Sequence, residues 1–358
     1  MNNGSIDAAR AEAFAGRLIE LYNGGGLALM ISIGHRTGLF DVMDGMTSAT
    51  SYEIARRAGL SERYVREWLG AMTVGKIVEC DPNGPRYSLP REHSAFLTRD
   101  SSPNNMAVFA QYIPLLGQVE DKIVARFRSG EGLPYSEYNR FHEVMAEDSG
   151  QTVVSALLDS ILPLVPQLPE ALSRGIDVLD IGCGAGRALN LMAKHFPKSR
   201  FYGFDISEEA IKVGWYESRR AGLFNVYFET KDLTDFEPNG QKWDLITAFD
   251  AVHDQAQPEK VLADIAGALK PGGTFLMQDI AGSAHHYQNI DHPVGPLLYA
   301  VSCMHCVPVS LAQGGAGLGA MWGEEKAREL LSRAGFKKIE TRKLAHDFQN
   351  NFYIGMLQ

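Results

Sequence analysis

The 358-residue chain is 45% apolar and 22% charged, the balance of a globular protein with length for two ordinary domains, each with its own core. A formal net charge of -9 argues against a protein that lives on phosphate backbones and points to a small-molecule partner. Four cysteines make no disulfide framework. Asp7, Arg10, Glu12 and Arg17 precede the short apolar run from Leu27 to Ile33, so a cytoplasmic chain without signal peptide or membrane span is expected.

From the N-terminus, apolar positions at helical spacing run through Phe14, Leu18 and Leu21, then Leu27, Met30, Ile31 and Ile33. The Gly24-Gly25-Gly26 triplet between them predicts a break. A short helix from Ser51, a glycine turn, a Ser61 N-cap and a second helix from Arg63 read as a helix-turn-helix. Two short strands, Ile77 to Cys80 and Arg86 to Leu89, flank a turn at Asp81-Pro-Asn-Gly-Pro, which completes a winged helix over residues 40–100. Helical periodicity returns over 101–172, with Met106, Phe109, Ile113 and Leu116 on one face and Val153, Leu157 and Ile161 on another; Pro163, Pro166 and Pro169 end it.

Beyond Gly175 strand and helix alternate. Strands are expected at Asp177 to Ile181, Arg200 to Phe204, Asn225 to Thr230, Asp244 to Phe249 and Thr274 to Gln278. Helices are expected at Arg187 to Phe196, Glu208 to Ala221 and Pro258 to Leu269. The last two strands, Lys337 to Leu344 and Phe352 to Met356, are joined too closely for a helical crossover, so one runs antiparallel. The expected fold is α/β: a doubly wound Rossmann-like sheet with an antiparallel last strand, preceded by a mainly helical winged-helix domain. The expected divisions are 1–100, a helical linker at 101–174 contributing to a substrate pocket, and 175–358, with a lid insertion at about 283–319.

Asp180-Ile-Gly-Cys-Gly-Ala-Gly-Arg187 sits where the first strand of that sheet meets its helix. Its glycines suit either a tight turn or the close approach of backbone amides to a ligand. Asp205 ends the second strand, where a carboxylate accepts from ribose hydroxyls, and Asp232 ends the third, placed for an adenine amino group. Asp180 puts a negative charge where an ammonium and a sulfonium fit better than a pyrophosphate. VLDIGCGAG, YGFDIS, the KDL step, WDLITAFDAVHD and LKPGGTFLMQD follow in order, and in this the chain resembles the class I S-adenosylmethionine-dependent methyltransferases. The resemblance implies that Gly182, Gly184 and Gly186 pack against S-adenosyl-L-methionine and that Asp180 lies near its methionine portion. Asp205, with Ile206 beside it, would bind ribose, Asp232 and Leu233 would flank adenine, and Phe249 and Asp250 would line the same crevice.

Between Thr47 and Asp100 eight Arg or Lys face seven Asp or Glu, a balance that disfavours the alternative of a winged-helix regulator binding S-adenosylmethionine and DNA. The order of domains resembles that of plant-type and bacterial small-molecule O-methyltransferases, which implies a homodimer formed through the winged-helix half. Acceptors compatible with it are a phenol or hydroxyl oxygen, or a thiol or thioether sulfur such as that of a methionine-derived thioether acid on the way to dimethylsulfoniopropionate.

The Val252-His253-Asp254 step occupies the place of the general base in the O-methyltransferases. His253 is either that base, an orienter of the acceptor, or a histidine bonding a backbone carbonyl at the sheet edge. Here Gln255 stands where the plant family has tryptophan. Tyr138, His142, His253, His285 and Tyr299 are the expected acceptor contacts. Cys303-Met-His-Cys306 supplies only two cysteine ligands in an apolar run, so a buried helix is expected there and no metal. Gly314-Gly315-Ala-Gly317-Leu-Gly319, with no GK[ST] after it, reads as a hinge.

Overall fold

The computed structural model describes residues 6–236, 243–345 and 347–357, and the chain divides into two compact units, Met1–Leu115 and Leu116–Gln358. In the first, a single helix runs from Ala8 to Thr37 straight through the glycine triplet, so the expected break is absent. Its N-terminus is capped by Asp7, which accepts from the Arg10 amide, and it stops at Gly38 in the left-handed conformation. Glycine weakens a helix by about 1 kcal/mol per residue but does not forbid it. The second half is anchored by Leu27, Met30 and Ile31 against the winged-helix core and by Trp68 Nε1 donating to the Met30 carbonyl at 2.8 Å.

The winged helix itself matches expectation. Helices Ser51–Ala58 and Glu62–Val74 carry Ile54, Val65, Trp68, Leu69 and Met72 into one core. Thr50 and Glu53 form a reciprocal capping box, whereas Ser61 sits at the N-cap position without a side-chain cap bond. The wing has three strands, β1 (Ala49–Thr50), β2 (Glu79–Cys80) and β3 (Arg86–Ser88), in the order β1-β3-β2. Two residues are too few to show an alternating pattern, which is why β1 is invisible in the sequence.

The second unit is built on β4 (Asp177–Ile181), β5 (Arg200–Asp205), β6 (Val226–Thr230), β7 (Trp243–Phe249), β8 (Leu269–Ile280), β9 (Lys338–Leu344) and β10 (Asp347–Met356), in the order β6-β5-β4-β7-β8-β10-β9. β10 is the antiparallel strand, inserted between β8 and β9. Helices Arg187–His195, Glu208–Arg220 and Pro258–Ala268 fall within a residue of expectation. The expected linker is divided, residues 101–115 in the first unit and 116–174 in this one, where Val153, Leu157, Ile161 and Leu162 share one core cluster with Val178, Leu189 and Phe201. Reversal of strand order beside β4 opens a crevice at the carboxyl ends of β4, β5 and β7, the usual ligand position in such sheets.

The continuous first helix is testable. A Cβ on Gly24, Gly25 or Gly26 would meet nothing within 4 Å, so replacing all three by Ala should raise the midpoint of thermal unfolding, at about 1 kcal/mol per site. An unchanged or lowered midpoint in scanning calorimetry would mean the helix is broken there after all.

Candidate functional site

β4 ends at Ile181 and the chain turns through Gly182 to Gly186 across the end of β5, with the Gly182 and Cys183 amides donating to the Phe204 carbonyl at 2.8 and 3.1 Å. Asp205, the last residue of β5, closes this turn. One carboxylate oxygen accepts from the Gly184 amide and the other from the Ser207 amide, each at 2.8 Å. The glycines divide the work. Gly186, at φ 64, would put a Cβ 2.1 Å from Phe228, so it serves packing, whereas a Cβ on Gly184 would meet nothing within 4 Å because it faces a cavity.

That cavity, about 190 Å³, is lined by Asp180, Gly182, Gly184, Asp205 and Ile206. Asp232, Leu233, Phe249 and Asp250 complete the same wall. Nine of the ten expected cofactor residues therefore converge, and Gly186 stands just behind them. Asp180 is 2% exposed and accepts from Thr247 Oγ1 at 2.7 Å. Burial pushes its carboxyl up to about 7, a rise the Thr247 bond moderates and the Asp205 charge adds to. Burial also raises Asp205, against the pull of its two amide donors. Asp232 is exposed and holds the Leu233–Asp235 turn through the Thr234 amide at 2.9 Å. Asp250 adopts φ 54, rare for a residue with a side chain, its amide donates to the Gln278 carbonyl, and its Oδ1 is buried without a hydrogen-bond partner. Burial pushes Asp250 up to about 8 against the attraction of the His253 charge.

The opposite wall comes from the Phe141–Thr152 helix and the residues before it: Tyr135, Phe141, His142, Met145 and Ser149. His142 Nε2 lies 3.4 Å from Glu209. Phe141 stacks on His305, with ring centres 3.4 Å apart and planes 5° from parallel. Asp254, Gln255, Val309 and Gln313 close the remaining side.

His253 does not reach the cavity wall. It is 2% exposed, its Nδ1 lies 2.9 Å from Asp279 Oδ1 and its Nε2 3.2 Å from Asp254 Oδ1. The expected backbone-carbonyl partner is replaced by carboxylates. Asp279 is wholly buried and its Oδ1 also accepts from Trp322 Nε1 at 2.9 Å and the Ile280 amide at 2.8 Å. Burial alone would lower the His253 pKa, but the two carboxylates outweigh it and raise it well above its ordinary value. The attraction of His253 in turn holds Asp254 down at about 2 although burial acts to raise it.

The other acceptor residues are scattered. Tyr138 is buried, and its hydroxyl donates to the Met304 carbonyl at 2.5 Å, tying the segment before the Phe141 helix to the lid. Tyr299 accepts from Asn289 at 2.8 Å and faces a second cavity with His286, Cys303 and Trp322. His285 is exposed and stacks on Tyr287. Only His142 of the five lies on the cavity wall. Met145, Asp254 and Gln255 carry positions the sequence reading missed, although Asp254 and Gln255 adjoin His253 in the step that drew notice.

The lid is helical over Gly295–Val301, wider-wound over Ser302–Cys306, and helical again over Val307–Ala312. Cys303 is exposed and Cys306 buried, so the two cysteines do not face one site. The glycine run beyond is packed turns rather than a free hinge, with the Gly317 and Ala320 amides donating to the Ser310 and Ser302 hydroxyls. Among the described residues the lid stretch Gly295–Ala312 has the length and apolarity of a membrane span, with a mean hydropathy of 1.4. Here Leu298, Cys306 and Val309 pack into the fold.

The donor set fits S-adenosylmethionine. Gly184 leaves open space, the carboxylates of Asp180 and Asp250 suit a cation, Asp250 Oδ1 lacks a partner, and Asp205 retains free lone pairs on both oxygens. The family described as Rv2258c-like winged HTH domain matches residues 25–99, and the family described as Methyltransferase domain matches residues 172–340. The chain therefore carries a winged-helix domain followed by a methyltransferase domain. Ubiquinone biosynthesis O-methyltransferase of Coxiella burnetii is 29% identical over 107 residues, 30% of this chain and 44% of that protein. The chain thus spans less than half of that curated relative. Among solved structures, mitomycin 7-O-methyltransferase MmcR is similar at TM-score 0.71 and 17% identity over 97% of this chain and 99% of that one. Human N-acetylserotonin methyltransferase in complex with SAM is similar at TM-score 0.68 and 18% identity, over 99% of each chain. These two show the methyltransferase fold.

The raised Asp180 makes cofactor binding pH-dependent in a methyltransferase domain of this kind. Below about 7 its carboxyl is protonated and gives up its attraction for a cation, so affinity for S-adenosylmethionine should rise as pH rises from about 6 to about 7, with proton release. Asp180→Asn should flatten that rise in titration calorimetry. A slope unchanged in the variant would assign it to another group, Asp250 first.

Proposed function

We propose that the chain transfers a methyl group from S-adenosylmethionine to a small-molecule acceptor. The observation that carries this reading is one cavity holding the cofactor residues on one wall and Tyr135, Met145, Asp254 and Gln255 on the other. When bound, the cofactor supplies an electrophilic methyl group on a sulfonium. Asp180 and Asp250 would hold its methionine portion, Asp205 its ribose, and Asp232 with Leu233 its adenine. Tyr135, Phe141 and Met145 exclude water and position the acceptor, from which much of the acceleration of such a displacement derives.

Oxygen is the first acceptor reading, supported by the names of similar proteins such as the Coxiella enzyme and MmcR. A second reading is a thioether sulfur, including a methionine-derived thioether acid in dimethylsulfoniopropionate synthesis. It is favoured by His253, whose two ring nitrogens both face carboxylates. A ring so held between carboxylates does not take a proton from the acceptor; it keeps Asp254 ionised. A thioether, or an acceptor already ionised, needs nothing more. Within the winged-helix unit, Phe14, Ile19, Leu21 and Tyr22 are 57–72% exposed on the first helix, which supports a homodimer formed through that helix. The near-zero charge of the wing does not support DNA binding.

A screen with methyl-labelled cofactor against phenols, hydroxy acids, thioether acids and amines should label an oxygen or sulfur acceptor. Asp254→Asn and His253→Ala should each slow transfer by about 10- to 100-fold. Failure to label any small acceptor, in protein that binds the cofactor, would overturn the proposal.

A further inference from the structure

We propose that His253, Asp254 and Cys306 form a site for a zinc-like divalent cation beside the acceptor side of the cavity, with a coordination position open toward it. The two elements that meet there are the turn after β7 and the wide-wound segment Ser302–Cys306 of the lid. Their donor atoms, one nitrogen, one oxygen and one sulfur, all lie within 4.8 Å of one another. Nε2 and Asp254 Oδ1 are 3.2 Å apart, yet Oδ1 has no aligned hydrogen-bond partner. In a tetrahedral site with bonds of about 2.0 Å, nitrogen and oxygen ligands stand about 3.3 Å apart. That pair already has the required spacing, and Cys306 completes the set by moving at most about 1.3 Å.

The surroundings match what metal-bound histidines require. Nδ1, the nitrogen that would not bind the ion, faces Asp279 Oδ1 at 2.9 Å, and Asp279 is itself fixed by Trp322 and the Ile280 amide. A carboxylate in that place sets the tautomer and the ring direction of a ligating imidazole. His305, next to Cys306, is 1% exposed with neither ring nitrogen hydrogen-bonded, and it interacts electrostatically with Asp254 and His253. Buried imidazoles are seldom left without partners.

A carboxylate, a thiolate, a neutral imidazole and a divalent cation sum to zero charge, which suits a buried site. The cation takes the place of the protons on Nε2 and Sγ. Mixed N, O and S donors select zinc over magnesium or calcium. Asp254 lines the cavity, so the remaining position faces whatever occupies it, and a soft or anionic donor atom, sulfur or oxygen, is the chemistry it would take. This last point rests on the methyltransferase reading; the ion site does not.

The test uses the full chain, stripped with chelator and then titrated with cobalt(II) and, separately, zinc(II). The site predicts one ion per chain and a near-ultraviolet thiolate-to-cobalt charge-transfer band that zinc displaces. Cys306→Ser should abolish the band, and Asp254→Asn should weaken zinc binding about 10-fold or more. Cys303→Ser, at an exposed position 303, should change neither. No saturable binding to the wild-type chain, or a band that survives Cys306→Ser, would overturn the proposal. So would a band that depends on Cys303. Calorimetry with S-adenosylhomocysteine on the same samples reads the cofactor site independently, so failure of one reading is not mistaken for failure of the other.

Discussion

The Asp205 carboxylate, with one oxygen on the Gly184 amide and the other on the Ser207 amide, is the joint on which the site depends. It binds the turn after β4 to the start of the helix after β5, so two crossovers of the sheet are locked to each other at their ligand-facing ends. Charge-assisted bonds from a carboxylate to backbone amides are among the stronger ones available. They also leave lone pairs directed into the cavity, so the group that builds the turn is also available to a ligand. Gly184 then presents bare backbone to that space, while Gly186 lets the turn settle against Phe228.

A second constraint lies under the acceptor side. Asp279, Trp322, His253 and Asp254 form a buried polar chain in which each charge has an opposite partner. Buried charges are tolerated only when paired, and removing one partner strands the other. His253 therefore acts on the cavity through Asp254, the group that actually lines it, by holding that carboxyl ionised. Substitutions at Asp279 would disturb chemistry through His253 without contacting a ligand.

The sheet and the cofactor wall are legible in the sequence because both depend on local signals. Strands such as Asp177–Ile181 and Trp243–Phe249 are largely apolar, and each acid of the crevice sits at or just beyond the end of a strand, where the turn follows at once. The acceptor wall is not legible in the same way. Which of His142, His285 and Tyr299 faces the cavity depends on how the lid and the Phe141–Thr152 helix fold back over the sheet, and nothing local encodes that contact. Tyr138 bonds a lid carbonyl instead of a ligand, and the cysteines of the Cys303–Cys306 step part company because the wider-wound turn points them differently. At Gly24-Gly25-Gly26 a local signal misleads, since packing on the winged-helix core carries the helix past three unfavourable residues.

The central claim is that the crevice closed by Asp205 holds S-adenosylmethionine, and the most direct measurement is titration calorimetry of S-adenosylhomocysteine into the wild-type chain and into Asp205→Ala. One site per chain is expected in the wild type and a loss of affinity of about 10-fold or more in the variant, since bonds to a charged group contribute about 1.5–3 kcal/mol. No binding to the wild type, or equal affinity in both proteins, would contradict it.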